Sequence, residues 1–123
     1  MIDHTGINVS NLEKSKEFYV NALAPLGYQL VREFDAISAA SFGIGGELDF
    51  WIGQGELNTP RIHVAFRAET REMVQAFYKT ALAVGGRDNG APGLRTHYHP
   101  NYYAAFVLDP DGHNIEAVCH VSA

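Results

Sequence analysis

The chain has 123 residues, of which 46% are hydrophobic and 19% charged, and carries a formal net charge of −5. That is enough chain for one domain with a sizeable core, and its nine scattered Lys and Arg residues against fourteen Asp and Glu exclude a basic stripe for nucleic acid. No apolar run approaches the roughly 18–20 residues of a membrane span, Met1-Ile2-Asp3-His4 lacks the basic and apolar parts of a signal peptide, and the lone Cys119 forms no internal disulfide, so the expectation is a cytoplasmic protein without a membrane or nucleic-acid partner.

From the N-terminus, His4–Val9 alternates in the period-2 manner of a strand. Ser10 followed by Glu13 reads as a capping box opening a helix. Leu12, Ser15, Phe18, Tyr19, Ala22, Leu23 and Leu26 then fall on one helical face, and Gly27 stands where a C-terminal glycine is expected. Three strands are predicted next: Tyr28–Phe34, Ala36–Gly43 and Leu48–Ile52.

The pattern then repeats. At one constant offset His4 falls on His63, inside the strand-like "RIHVAF" of Arg61 to Phe66, Phe18-Tyr19 on Phe77-Tyr78, Ala22-Leu23 on Ala81-Leu82, and Gly27 on Gly86. The second helix is predicted from Thr70 to about Val84, burying Met73, Val74, Phe77, Tyr78, Ala81 and Leu82. A weak strand follows near Arg87–Asp88, then a Gly-, Pro-, His- and Tyr-rich stretch at Asn89–Asn101, of a length that is usually functional or mobile. Tyr103–Leu108 and Asn114–Cys119, joined by Asp109-Pro110-Asp111-Gly112, read as a hairpin. The order is βαβββ twice, an α+β arrangement in one domain, with a first module of about 1–56 and a second of about 57–123.

Each module therefore offers a histidine on its first strand and a carboxylate on its last: His4 with Asp49, and His63 with Glu116. Both carboxylates have apolar neighbours, and an unpaired carboxylate on a dry strand face is costly. Two histidines and one or two carboxylates around a divalent cation remove that cost, and zinc, nickel, manganese and ferrous iron all accept such ligands. The alternative is pairing of Asp49 and Glu116 with arginines such as Arg61 or Arg95.

"HTGINVSNLEKSKEFY" at His4–Tyr19, "IHVAF" at Ile62–Phe66 and "DPDGHNIEAV" at Asp109–Val118 resemble the vicinal oxygen chelate superfamily, which includes glyoxalase I, bleomycin-resistance proteins, fosfomycin-resistance enzymes and extradiol dioxygenases. The resemblance runs along essentially the whole chain and is specific for the superfamily, not for one activity. It implies paired βαβββ modules curled into a mixed-sheet cup with flanking helices and a metal on its floor, held by His4, His63 and Glu116. It also implies a homodimer. Asp49 stands where glyoxalase I has a fourth ligand; being a methylene shorter than glutamate, it is open to a role as fourth ligand or as general base.

The resemblance further implies a metal-dependent lyase or isomerase of the glyoxalase type acting on a small carbonyl or enediol substrate. The alternatives are a non-catalytic small-molecule or antibiotic-binding protein and an extradiol-type dioxygenase. Trp51, His97 and Tyr103 are the candidates for a substrate pocket, the latter two from the aromatic run "THYHPNYY". His113, in the Asp-Gly turn, and His120 are expected to be solvated.

Overall fold

The computed structural model describes residues 1–122. Strand β1 (Thr5–Val9) leads into helix α1 (Leu12–Ala22), and β2 (Gln29–Phe34), β3 (Ala39–Gly43) and β4 (Phe50–Gln54) follow. The second half begins with β5 (His63–Arg67) and α2 (Arg71–Ala83). Two short strands, β6 (Arg87–Asp88) and β7 (Gly93–Leu94), precede the hairpin of β8 (Tyr103–Leu108) and β9 (Asn114–Cys119).

The strands form two open mixed sheets. The first has the order β1-β4-β3-β2, with β1 and β4 parallel. The second runs β5-β9-β8-β6, with β5 and β9 parallel and β7 also paired to β8. The expected second strand of this half is thus split into two short pieces on either side of the Asn89–Pro92 segment, both laid along β8.

The repeat is visible in three dimensions, with local differences. Helix α1 is capped by Asn11, whose side chain accepts from the Lys14 N–H at 3.0 Å, and not by Ser10. The Ser10 N–H and hydroxyl instead donate to the Asp111 carboxylate, at 3.1 and 2.5 Å. α1 also ends earlier than expected, because Pro25 supports a single 3-10 turn at Ala24–Leu26, as a fixed proline φ does at the start of a turn. Thr70, where the second helix was predicted to begin, is the N-cap of α2 and accepts from Met73 N–H.

The 3-10 turn Asp35–Ile37 takes the first two residues of the strand expected at Ala36–Gly43, and β4 starts two residues later than predicted. Asp49 therefore stands immediately before β4, and His4 immediately before β1, not within these strands. Gly27 adopts a left-handed φ of 88°, and its conformational counterpart is Gly85 at 101°. Gly86 serves differently: an added Cβ would meet the Ala81 carbonyl oxygen at 2.8 Å.

The inner faces of both sheets and the apolar faces of both helices share one core cluster. Phe50 and Tyr28 from the first half each meet the Phe66 ring edge-on at 5.2 Å, so aromatic packing joins the halves. No helix among the described residues is long and apolar enough to cross a membrane.

Candidate functional site

Strand alternation decides which side chains leave the core. On β9, Ile115, Ala117 and Cys119 belong to the core cluster, so Asn114, Glu116 and Val118 point to the opposite face of the sheet. The parallel ladder sets His63 against Asn114 and Ala65 against Glu116. There His63 Nε2 lies 2.9 Å from Glu116 Oε1. The carboxylate is almost wholly buried, at 3% side-chain exposure, while the imidazole is half exposed at 48%.

Both Glu116 oxygens are engaged. Oε2 accepts a short hydrogen bond from the Tyr102 hydroxyl. Loss of hydration, then the bond to Glu116, drives the Tyr102 phenol well above its ordinary pKa, so it stays a donor. On the far side of the imidazole, Nδ1 faces Asn114 Nδ2 at 2.8 Å, and Asn114 Oδ1 accepts from Asn89 Nδ2 at 3.1 Å. With the Asn114 amide so turned, the imidazole proton lies on Nε2 and is donated to Glu116.

These atoms suit a divalent cation. A single proton lies between an imidazole nitrogen and a buried carboxylate oxygen, and exchanging it for a metal ion leaves two ordinary ligands facing one point. Turning over the Asn114 amide would let its oxygen accept from Nδ1–H, the arrangement a metal-bound histidine needs.

The other two expected positions stand at the edge of the first sheet, just before β1 and β4, each with a different partner. His4 Nδ1 is 2.7 Å from Asp3 Oδ1, and its ring is 5.9 Å from Trp51. Asp49 accepts from the Tyr28 hydroxyl at 3.1 Å. Burial, followed by the nearby Asp49 charge, pushes that phenol up to about 12. Among the described residues no three His, Cys, Asp or Glu side chains converge. The structure therefore brings His63 and Glu116 together within the chain and leaves His4 and Asp49 beside the other sheet, at the starts of β1 and β4.

Among the described residues neither carboxylate pairs with arginine. Arg61 donates to the backbone oxygens of Asp111 and Asn58, and Arg95 to those of Gly93 and Ala91.

Trp51 stacks on Phe34 at 4.8 Å and 15°, forming a half-buried aromatic surface on the first sheet. His97 is exposed, and its ring lies 4.2 Å from that of its neighbour Tyr98. Tyr103 lies against α2: its hydroxyl accepts from Gln75 at 2.9 Å, and the Arg71 guanidinium sits 5.0 Å from its ring centre. Tyr102, one residue earlier, is the tyrosine that reaches Glu116.

His113 corrects an expectation. It is fully buried, not solvated. Its Nδ1 accepts from the Ile62 N–H at 3.0 Å, and its Nε2 donates to the Asn8 carbonyl at 2.8 Å, fastening the end of β1 to the entry of β5. His120 is exposed, yet its Nδ1 meets His99 Nε2 at 2.6 Å. Tyr102 was within the aromatic run "THYHPNYY", but its bond to Glu116 was not foreseen, and Asn114 escaped sequence reasoning; neither repeats between the halves, and the one available signal for Asn114 was its place two residues before Glu116 on an alternating strand.

Residues 1–117 match the family described as the glyoxalase/bleomycin resistance protein/dioxygenase superfamily. Among solved structures, a glyoxalase/bleomycin resistance protein from Albidiferax ferrireducens T118 superposes with a TM-score of 0.80 at 27% identity, covering 97% of this chain and 98% of its own. A glyoxalase/bleomycin resistance protein/dioxygenase family enzyme from Burkholderia phytofirmans PsJN gives 0.72 at 19% identity, over 97% of this chain and 98% of that one. A glyoxalase I variant from Zea mays gives 0.70 at 18% identity, with 99% of this chain aligned to 45% of the maize chain. These last two likenesses bear on the fold alone. No curated protein matches the chain.

Proposed function

The chain belongs to the glyoxalase/bleomycin resistance protein/dioxygenase superfamily, and from that premise we propose that it is a metal-dependent lyase or isomerase of the glyoxalase type, acting on a small substrate that presents neighbouring carbonyl or enediol oxygens. The observation that carries the reading is the His63–Glu116 pair, 2.9 Å apart with the carboxylate buried. Zinc, nickel, manganese or ferrous iron suits this donor chemistry, and such an ion would polarise a substrate oxygen as a Lewis acid.

In this reading His63 and Glu116 are the ligands one chain assembles. His4 completes the set from the first sheet of a second copy in a homodimer, and Asp49 arrives beside it as fourth ligand or as the base that moves a proton between substrate carbons. Trp51, on the same sheet, then walls the pocket. A cytoplasmic address fits the single cysteine.

The test is elemental analysis of protein purified without chelator or an affinity-tag metal, beside His63→Ala. About one metal per chain, lost in the variant, is the expected result, followed by turnover of carbonyl substrates in the presence of zinc or nickel. Iron in the protein would redirect the assay to catechol cleavage. Stoichiometric ligand binding without turnover would favour a binding or resistance protein. Absence of metal in both proteins, even after it is added back, would overturn the proposal.

A further inference from the structure

We propose that Tyr102 is a positioning residue that makes Glu116 a one-oxygen ligand, and that the Arg95–Tyr102 loop exists in part to hold it there. The inference rests on the reading of His63 and Glu116 as metal ligands.

Glu116 has two oxygens and two donors. His63 addresses Oε1, the side on which a cation would sit, and Tyr102 addresses Oε2. A carboxylate free at both oxygens can turn to bring both onto a metal ion. One with Oε2 fastened to a phenol keeps only Oε1 for the metal, leaving more of the ion's surface to substrate oxygens. A partner of this kind orients the ligand and tunes its basicity.

The phenol is well supported for that task. The Tyr102 carbonyl accepts from the Arg95 N–H at 2.7 Å, and its own N–H donates to the His99 carbonyl at 3.2 Å. Its ring stands 4.8 Å from Tyr98 and edge-on to His99 and His120, each at 5.4 Å. The His99–His120 bond closes this surround by tying the loop to the segment after β9.

Tyr103 supplies the control. It carries the same hydroxyl one residue later but directs it to Gln75 on α2. Cobalt(II) would be titrated into metal-free wild type, Tyr102→Phe and Tyr103→Phe, reading both affinity and the visible absorption that reports coordination. Tyr102→Phe is expected to bind cobalt about 10-fold more weakly or worse, with an altered spectrum, while Tyr103→Phe matches wild type and all three melt as folded proteins. Tyr102→Gln, which keeps a donor, should recover part of the loss. If Tyr102→Phe does not fold, Tyr102→Gln against Tyr102→Met makes the same donor comparison.

Unchanged affinity and spectrum in Tyr102→Phe would overturn the inference and leave the metal reading intact. Equal weakening in both Phe variants would also overturn it, as a general effect of losing a tyrosine hydroxyl. A wild type that takes up no cobalt would sink the metal reading itself, and this inference with it.

Discussion

A carboxylate shut away from water needs its lone pairs answered, and the two buried carboxylates are answered differently. Glu116 is met by one ring nitrogen and one phenol. Asp109, 1% exposed, accepts from the Asp111 and His113 N–H groups on Oδ1 and from the Tyr19 hydroxyl on Oδ2 at 2.5 Å. The cost falls on Tyr19: burial first, then the Asp109 charge, lifts its phenol well above its ordinary value of 10.0. The folded chain therefore keeps this proton at a pH where the unfolded chain has released it. By linkage the contribution is fully present below pH 10.0 and is lost as pH rises beyond it. Urea unfolding of wild type and Tyr19→Phe at a series of alkaline pH values should show stability falling less steeply in the variant. Parallel curves would mean that Tyr19 does not couple to the fold in this way.

At the scale of elements, α1 contains an oddity. Ser15 faces the core at 1% exposure, and its hydroxyl has no hydrogen-bond partner. Ser15→Ala removes an unanswered polar atom and raises helix propensity, so it should stabilise the protein by about 1 kcal/mol. A loss of stability on chemical denaturation would show that the hydroxyl is satisfied in solution. The same helix shows how much of the fold was legible. Its buried face, Phe18, Tyr19 and Ala22, followed from 3.6-residue spacing, and the β8–β9 hairpin followed from alternation around a tight-turn tetrapeptide. The cap did not: Ser10 and Asn11 are both good capping residues, and the choice was made by Asp111, a residue far away in sequence that engages Ser10. The β6–β7 split was illegible for a similar reason, since strands of two residues carry too little periodicity to read.

For the whole molecule, His113 matters as the joint between halves. His113→Ala leaves the Ile62 N–H and the Asn8 carbonyl without their partner and opens a cavity, a combined cost of about 3 kcal/mol. Thermal or urea unfolding should register that loss, and an effect below about 0.5 kcal/mol would place the residue among ordinary surface substitutions. The site was legible to the extent that the repeat carried it. His63 and Glu116 came from matched positions and do meet, whereas the tyrosine and the asparagine that surround them come from a loop and a strand position with no counterpart in the first half. Sequence spacing reports on neighbours along an element, and these contacts are set by how elements pack. The joint also has a consequence for how the protein is made. The end of β1 is translated long before its fastenings, Asp111 and His113, and among the described residues β9 is the ladder partner of β5. A nascent chain stalled before Asp109 would hold both helices yet leave two strand edges open. Such unpaired edges invite association with other chains, so the arrival of the Asp109–Gly112 turn and β9 is the step that takes a growing chain out of danger.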